Sequence, residues 1–237
     1  MGIAIIPKLY IQLFMMKILY ITITILLFQF KPVLSGENYF YILGSKPIDS
    51  GFDYRWTNPG GNIRIAPQKF SDEALAIGFG RDINKSLFNY DLAFELDHTD
   101  EFMTDDREIH NRVPCDVTAQ PKCFLQYKDL FNLKLLASKT IGNFKPQLIL
   151  GISTANIKGV VDIGAARGNG QIINQKRLAP LVGLGLEYEL SNGMSLKSEF
   201  TSRNFDSILG GNHEQSTKVK TTDLRLNLFS IGLKKKF

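Results

Sequence analysis

The residues of this chain whose types could do chemistry are three histidines, two cysteines, one glycine-rich stretch and a set of alternating charges. Nucleophilic or acid–base catalysis by histidine needs a serine and a carboxylate held beside it. His98, His110 and His213 have no serine two residues away and no obvious strand-borne acid partner, and only His213 has both types near it, in Glu214 and Ser216. No catalytic residue is assigned. Cys115 and Cys123 are the only cysteines and lie close together beside Pro114 and Pro121. In an exported chain such a pair reads as a loop disulfide. With His110 as the nearest further ligand, the donor set is too small for a metal centre. The stretch Gly159 to Gln175 carries Gly164, Gly168 and Gly170. It lacks the strand, Gly-Lys-Ser/Thr and helix context of a phosphate cradle, so it reads as a flexible loop and no cofactor is expected.

The charges are more informative, because they alternate with apolar residues. From Leu178 to Phe205, Leu184, Leu186, Tyr188 and Leu190 share one parity, while Gly183, Gly185, Glu187 and Glu189 share the other. After Ser191-Asn192-Gly193, Met194, Leu196 and Phe200 oppose Ser195, Lys197, Glu199, Thr201 and Arg203. Period two is the strand period, and Ser-Asn-Gly between two such runs is hairpin chemistry. The same split recurs at Leu87 to His98, where Phe88, Tyr90, Leu92, Phe94 and Leu96 oppose Asn89, Asp91, Ala93, Glu95 and Asp97. It recurs again at Tyr127 to Lys139, with Phe131, Leu133, Leu135 and Ala137 against Asn132, Lys134 and Ser138.

Further candidates are Asn38 to Lys46, whose parity is ambiguous, Ala74 to Asp82, Phe144 to Ser153 and Asp223 to Phe237, which makes eight strands. Their connections alternate in kind. Ile83 to Ser86, Thr140 to Asn143 and Ser191 to Gly193 are short; Pro47 to Glu73, Thr99 to Gln126, Thr154 to Arg177 and Asn204 to Thr222 are long. In the last strand, Leu224, Leu226 and Leu228 fall on the parity opposite to Phe229, Ile231, Leu233 and Phe237, and a β-bulge near Asn227 would return Leu224 and Leu226 to the apolar face.

Ahead of the strands, Lys17 precedes an apolar run from Ile18 to Phe30 that ends in the small-residue exit Ser35-Gly36. That is the pattern of a secretory signal peptide, with cleavage after Ser35 or Gly36 and translation starting at Met16. A permanent helix from Ile11 to Phe30 is the competing reading. The domain expectation is therefore 1–36 as signal and 37–237 as a single β domain. A net charge of +5 does not point to nucleic acid, because the Lys and Arg residues are scattered among Asp and Glu. The one dense basic run, Lys234-Lys235-Lys236, reads as a solvated strand end.

Which face meets water decides between two barrels. A soluble ligand-carrying barrel puts the apolar faces inside; a membrane barrel puts them outside. Three features favour the membrane. The polar parity carries Gly78, Gly80, Gly151, Gly183 and Gly185, as a narrow filled interior requires. Aromatics on the apolar parity, Phe88, Phe144, Tyr188 and Phe237, gather beside the short turns as an interfacial girdle. The chain also ends on a strand whose last residue is Phe237.

The end Ser230-Ile231-Gly232-Leu233-Lys234-Lys235-Lys236-Phe237 resembles the C-terminal insertion signal of outer-membrane proteins through Gly232 and Phe237, and departs from it at Lys235. Pro180 to Phe205 resembles the closing hairpin of OmpA-like, opacity-type and porin-family eight-stranded barrels. The resemblance implies an all-β, eight-stranded antiparallel up-and-down transmembrane barrel in the cell outer membrane, with short periplasmic turns and long extracellular loops. Its implied partners are outer-membrane lipid, the insertion machinery and an extracellular partner for the loops, with no nucleic acid and no cofactor. Asp91, Glu95, Asp97, Lys134, Glu187, Glu189, Lys197, Glu199 and Arg203 then form a lumen network of salt bridges. The expected role is a structural or surface-interaction barrel. The alternatives are a small porin, with that network as an ion pathway, and more remotely a lipid-modifying enzyme.

Overall fold

The computed structural model describes residues 36–57, 63–70, 72–87, 89–100, 102–103, 124–161, 171–206, 208–212 and 218–237. Among them the alternating runs form twelve strands and no helix. The strands are β1 (Asn38–Pro47), β2 (Gly51–Thr57), β3 (Ile63–Lys69), β4 (Ala74–Leu87), β5 (Tyr90–Thr99), β6 (Phe102–Met103), β7 (Phe124–Ser138), β8 (Phe144–Val161), β9 (Gln171–Glu189), β10 (Met194–Phe205), β11 (Ile208–Asn212) and β12 (Lys218–Lys236). Eight of them, β1, β4, β5, β7, β8, β9, β10 and β12, pair antiparallel in chain order. The ring closes where β12 returns to β1, in unbroken register from Tyr39 opposite Lys236 to Pro47 opposite Leu228. Closure leaves the barrel without a sheet edge.

Tight connections gather at one end. They use positive φ at Asn89 (66°), Gly142 (62°), Asn192 (52°) and Gly193 (71°), the conformations that Asn and Gly tolerate. The first turn lies later than the sequence reading puts it. A register shift between Ile83 and Ser86 carries β4 through that polar run to Leu87, which pairs with Tyr90. At the other end the strands overrun: β8, β9 and β12 have 18, 19 and 19 residues, more than the ~9–11 that cross a tilted bilayer. The long segment expected between Pro47 and Glu73 is itself structured. It holds β2 and β3, with β2 added to the start of β12 from Thr57 opposite Lys218 to Gly51 opposite Arg225. β11 pairs with β12 and β6 with β7, so the wall continues above the ring.

The two faces of the ring differ in kind. Ile77, Leu133, Leu150, Leu184, Phe200 and Ile231 point outward and are between 43% and 64% exposed. A continuous belt of this size would drive aggregation in water, and lipid is the solvent that suits it. β1, whose parity is ambiguous in the sequence, turns Phe40 and Ile42 out and Tyr39 and Tyr41 in. The rings fit because glycines stand opposite them, Gly80 across from Tyr39 and Gly78 across from Tyr41. A methyl group added at either glycine would overlap the facing ring. Gly78→Ala is therefore expected to cost about 1–3 kcal/mol by overpacking, and less in a Tyr41→Leu background. Urea titration of the vesicle-refolded barrel measures both; equal costs in the two backgrounds would mean that the ring does not occupy that space.

The bulge expected near Asn227 is absent. β12 runs against β10 in continuous register from Met194 opposite Lys235 to Phe205 opposite Leu224. Leu224, Leu226 and Leu228 consequently face inward and are buried with Phe205, Leu130, Ile157, Ala155, Ala179, Tyr127 and Phe70. The outward residues between them, Arg225 and Asn227, lie above the apolar belt, and the Asn227 amide N–H donates to Ser50 Oγ (2.8 Å). A bulge does occur in β7, where the register shifts between Lys128 and Phe131 and Asp129 has φ 53°. It turns Tyr127 into the interior.

Candidate functional site

The inward faces of β5, β7, β9, β10 and β12 bring four acids and four bases into one narrow space. Glu95, Asp97, Glu187 and Glu199 meet Lys134, Lys197, Lys234 and Arg203, each at most 4% exposed. Ions out of water are costly unless paired and hydrogen-bonded. Here the pairing is dense. Lys134 Nζ lies 2.6 Å from Asp97 Oδ2 and 2.6 Å from Glu199 Oε2. Lys197 reaches across the lumen to Glu95 and stands 2.9 Å from Glu199 Oε1. Lys234 pairs with Glu187 at 2.9 Å, and Gln147 Nε2 donates to the same carboxylate at 3.1 Å.

Neutral donors extend the lattice. The Tyr39 hydroxyl donates to Glu95 (3.0 Å), the Tyr41 hydroxyl to Asp97 (2.9 Å), and Asn132 Nδ2 to Asp97 Oδ1 (2.5 Å). The tyrosine rings also face ammonium groups: Lys197 lies 4.5 Å from the Tyr41 centroid and Lys234 3.7 Å from that of Tyr39. Arg203 donates through Nη2 to Thr201 Oγ1 at 2.6 Å. Toward the long-loop end the apolar cluster of Leu130, Tyr127, Phe205, Leu224 and Leu226 fills the same interior. Side chains with almost no accessible surface leave no room for a water column. This part of the barrel is plugged twice, by paired charge and by packed hydrocarbon.

Of the nine residues assigned to the network from sequence, Glu95, Asp97, Lys134, Glu187, Lys197, Glu199 and Arg203 meet in the interior. Asp91 and Glu189 do not. Both share the inward parity but are exposed, because they lie opposite Ser138 and Ser195 at the short-turn mouth, where water reaches them. Lys234 was the residue that sequence reasoning missed, since a run of three terminal lysines looks solvated. Its parity with Ser230 and Gly232 was the available signal. Of its neighbours, Lys236 pairs with Asp82 (2.9 Å) and Glu37 (3.2 Å), and Lys235 donates to the Asn192 carbonyl.

Phe144 and Tyr188 stand opposite each other on the outer wall beside the short turns, with ring centroids 4.9 Å apart. Phe237 lies 6.5 Å from Phe40 and 6.3 Å from Phe79, extending this aromatic band across the seam. The Phe237 amide donates to the Asn38 carbonyl at 3.0 Å, and Gly232 lies against the Ile42 carbonyl. The two residues that carry the resemblance to an insertion signal thus sit where β12 closes onto β1. His98 lies on the outer wall, its ring 4.6 Å from that of Phe131 and its Nε2 3.9 Å from Asp129 Oδ1, an acid that the β7 bulge brings to it. Phe88, Cys115, Cys123, His110, His213 and the signal segment lie outside the described residues.

No protein-family model and no curated protein matches this chain. Solved structures do resemble it. The outer membrane protein OprG from Pseudomonas aeruginosa is similar with a TM-score of 0.57 and 19% identity over 86% of this chain and 97% of OprG. Ail, the attachment invasion locus protein of Yersinia pestis, solved with the heparin analogue sucrose octasulfate, aligns with a TM-score of 0.43 and 11% identity over 85% of this chain and 99% of Ail. The outer membrane protease OmpT from Escherichia coli aligns with a TM-score of 0.47 and 10% identity over 87% of this chain and 100% of OmpT. At such identities what is shared is architecture: the chain has the fold of an eight-stranded outer-membrane β-barrel, as in OprG.

Proposed function

We propose that this chain is an integral outer-membrane protein whose barrel is a closed anchor and whose work is surface interaction through the segments at its long-loop end. The observation that carries the reading is the plugged lumen. Lys134, Lys197, Glu95 and Glu199 are each at most 3% exposed and engaged with one another, so the wall has a use but the bore has none. The belt of outward leucines, isoleucines and phenylalanines supports residence in lipid, and the closing strand with Gly232 and Phe237 supports delivery by the outer-membrane insertion machinery after removal of residues 1–36. No chemical step is part of this role: His98 sits against Phe131 on the outer wall, on the opposite face of β5 from the buried acids Glu95 and Asp97.

Planar-bilayer recording from the refolded chain tests the reading. The expected record is flat, without discrete conductance steps. Reproducible steps of constant size would make the protein a small porin and the charged layer its ion path.

A further inference from the structure

One corner of the charged layer holds the parts of a reaction as well as an ion pair. Lys134 on β7 stands opposite Glu95 on β5, and Asn132 stands opposite Asp97, so Lys134 meets Asp97 as a diagonal neighbour. Its Nζ lies 2.6 Å from Asp97 Oδ2 and 2.6 Å from Glu199 Oε2. The aspartate is held at both oxygens. The Tyr41 hydroxyl donates to Oδ2 (2.9 Å) and Asn132 Nδ2 donates to Oδ1 (2.5 Å). Ser153 Oγ donates to Asn132 Oδ1 (2.5 Å), which fixes the end of that amide that faces the acid. Glu199 is placed differently, because its other oxygen lies 2.9 Å from Lys197.

Lys134, Asp97 and Glu199 are each at most 3% exposed, and the apolar cluster of Tyr41, Leu43, Leu136 and Ile149 shares their interior. In water an ammonium and a carboxylate are better solvated than the amide they would form. Here that solvation is gone, and condensation releases one water to the bulk. Fixed juxtaposition gives such a pair the effective concentration of an intramolecular reaction.

We propose that the side chains of Lys134 and Asp97 join as an isopeptide bond after the barrel has folded, with Glu199 carrying a proton between them. Lys134 gives a first proton to Asp97 Oδ2, which leaves a neutral amine beside a carboxylic acid. The Nζ lone pair then attacks Cγ, and the charge that develops on Oδ1 meets the Asn132 amide. Glu199 takes a proton from the nitrogen of the new C–N bond and passes it to Oδ2. The bond from Cγ to Oδ2 breaks, and that oxygen leaves as water. Of the three ammonium protons, one stays on the amide and two leave with the water, so no further reactant is needed. One acid and one base disappear together, and the layer stays neutral.

The bond ties β5 to β7 and encloses residues 98–133 in a covalent ring, securing at its root the long segment between these strands. The ion pair is the state of the newly folded barrel, and the bond follows slowly. Holding that segment against pull is a use that rests on the surface role proposed above; the bond itself rests only on the sealed interior.

Intact-mass measurement tests it on the full chain refolded in vesicles, sampled over days and then unfolded in acid. The folded chain is expected to weigh less by one water, about 18 Da, than a chain kept in urea for the same time. Protease digestion should yield one branched peptide that joins Asp97 to Lys134. Lys134→Arg keeps the charge without the nucleophile, and should show the heat-modifiable band of a folded barrel with no loss of mass. Glu199→Gln should slow the loss at least about tenfold. A folded wild-type chain that keeps its full mass overturns the bond, as does a loss of water that persists in Lys134→Arg or maps to another pair.

Discussion

Replacing Lys134 by methionine should destabilise the folded barrel by about 3–5 kcal/mol, the scale on which a buried ion pair suffers when one partner is removed. Lys134 is 3% exposed and holds Asp97 and Glu199 at 2.6 Å each, with Glu95 at 3.7 Å. Methionine fills much the same volume, so the loss is electrostatic rather than steric. Asp97 keeps Tyr41 and Asn132, and Glu199 keeps Lys197, but the layer carries one uncompensated negative charge. Adding Glu199→Gln to the variant removes that charge and should recover part of the loss. Urea titration in vesicles, run as a double-mutant cycle, measures the coupling, expected to exceed about 1 kcal/mol. A cost for Lys134→Met within about 0.5 kcal/mol would place these groups in water, as exposed pairs behave, and would reopen the lumen to solvent.

The second large effect concerns the seam. Gly232 stands opposite Leu43 where β12 meets β1, and a methyl group there would overlap the Ile42 carbonyl, which is backbone and cannot move aside by changing rotamer. Gly232→Ala should therefore cost about 3 kcal/mol or more and deplete the compact, heat-modifiable band after refolding. Gly44 lies in the same seam, and the nearest atom to an added methyl group is the Ile231 carbonyl oxygen at 3.8 Å. Gly44→Ala serves as the control and should fold like wild type. If the two variants behave alike, closure does not depend on the close approach at Gly232.

Much of this architecture is legible in the chain because lipid and lumen demand opposite chemistry at successive residues. Where both demands hold, as along Leu92 to Asp97 or Leu184 to Glu187, parity reads out the face directly. It fails at the upper part of β12 for a physical reason. Above the belt the outer face is polar, with Arg225 exposed and Asn227 half-buried, and the inner face packs hydrocarbon, as Leu224 and Leu226 do. The pattern inverts while the strand runs straight, so a reading that keeps lipid outside throughout inserts a bulge that is not needed. Tyr39 and Tyr41 escape for a different reason: their fit depends on Gly80 and Gly78 on β4, distant in sequence, and one strand alone cannot report its partner's gaps. The charged residues of the network are visible by type and parity. Their partners are only partly so: Glu95 and Lys134 are neighbours by register, whereas the contact between Lys197 and Glu95 crosses the lumen. Asp91 and Glu189 mark the same limit, since parity gives the face and not the depth.

The claim on which everything else rests is that the apolar face meets lipid and the charged face is sealed inside. Single cysteines at the adjacent positions Ser230 and Ile231, and at Ser195 and Ser198, in a chain with Cys115 and Cys123 replaced by serine, test it in refolded vesicles. Ser230 and Ser195 are buried, while Ile231 and Ser198 lie on the outward parity. A maleimide dissolved in the bilayer should label positions 231 and 198 and spare 230 and 195. Labelling of 230 and 195 with 231 and 198 protected would turn the barrel inside out and contradict the account.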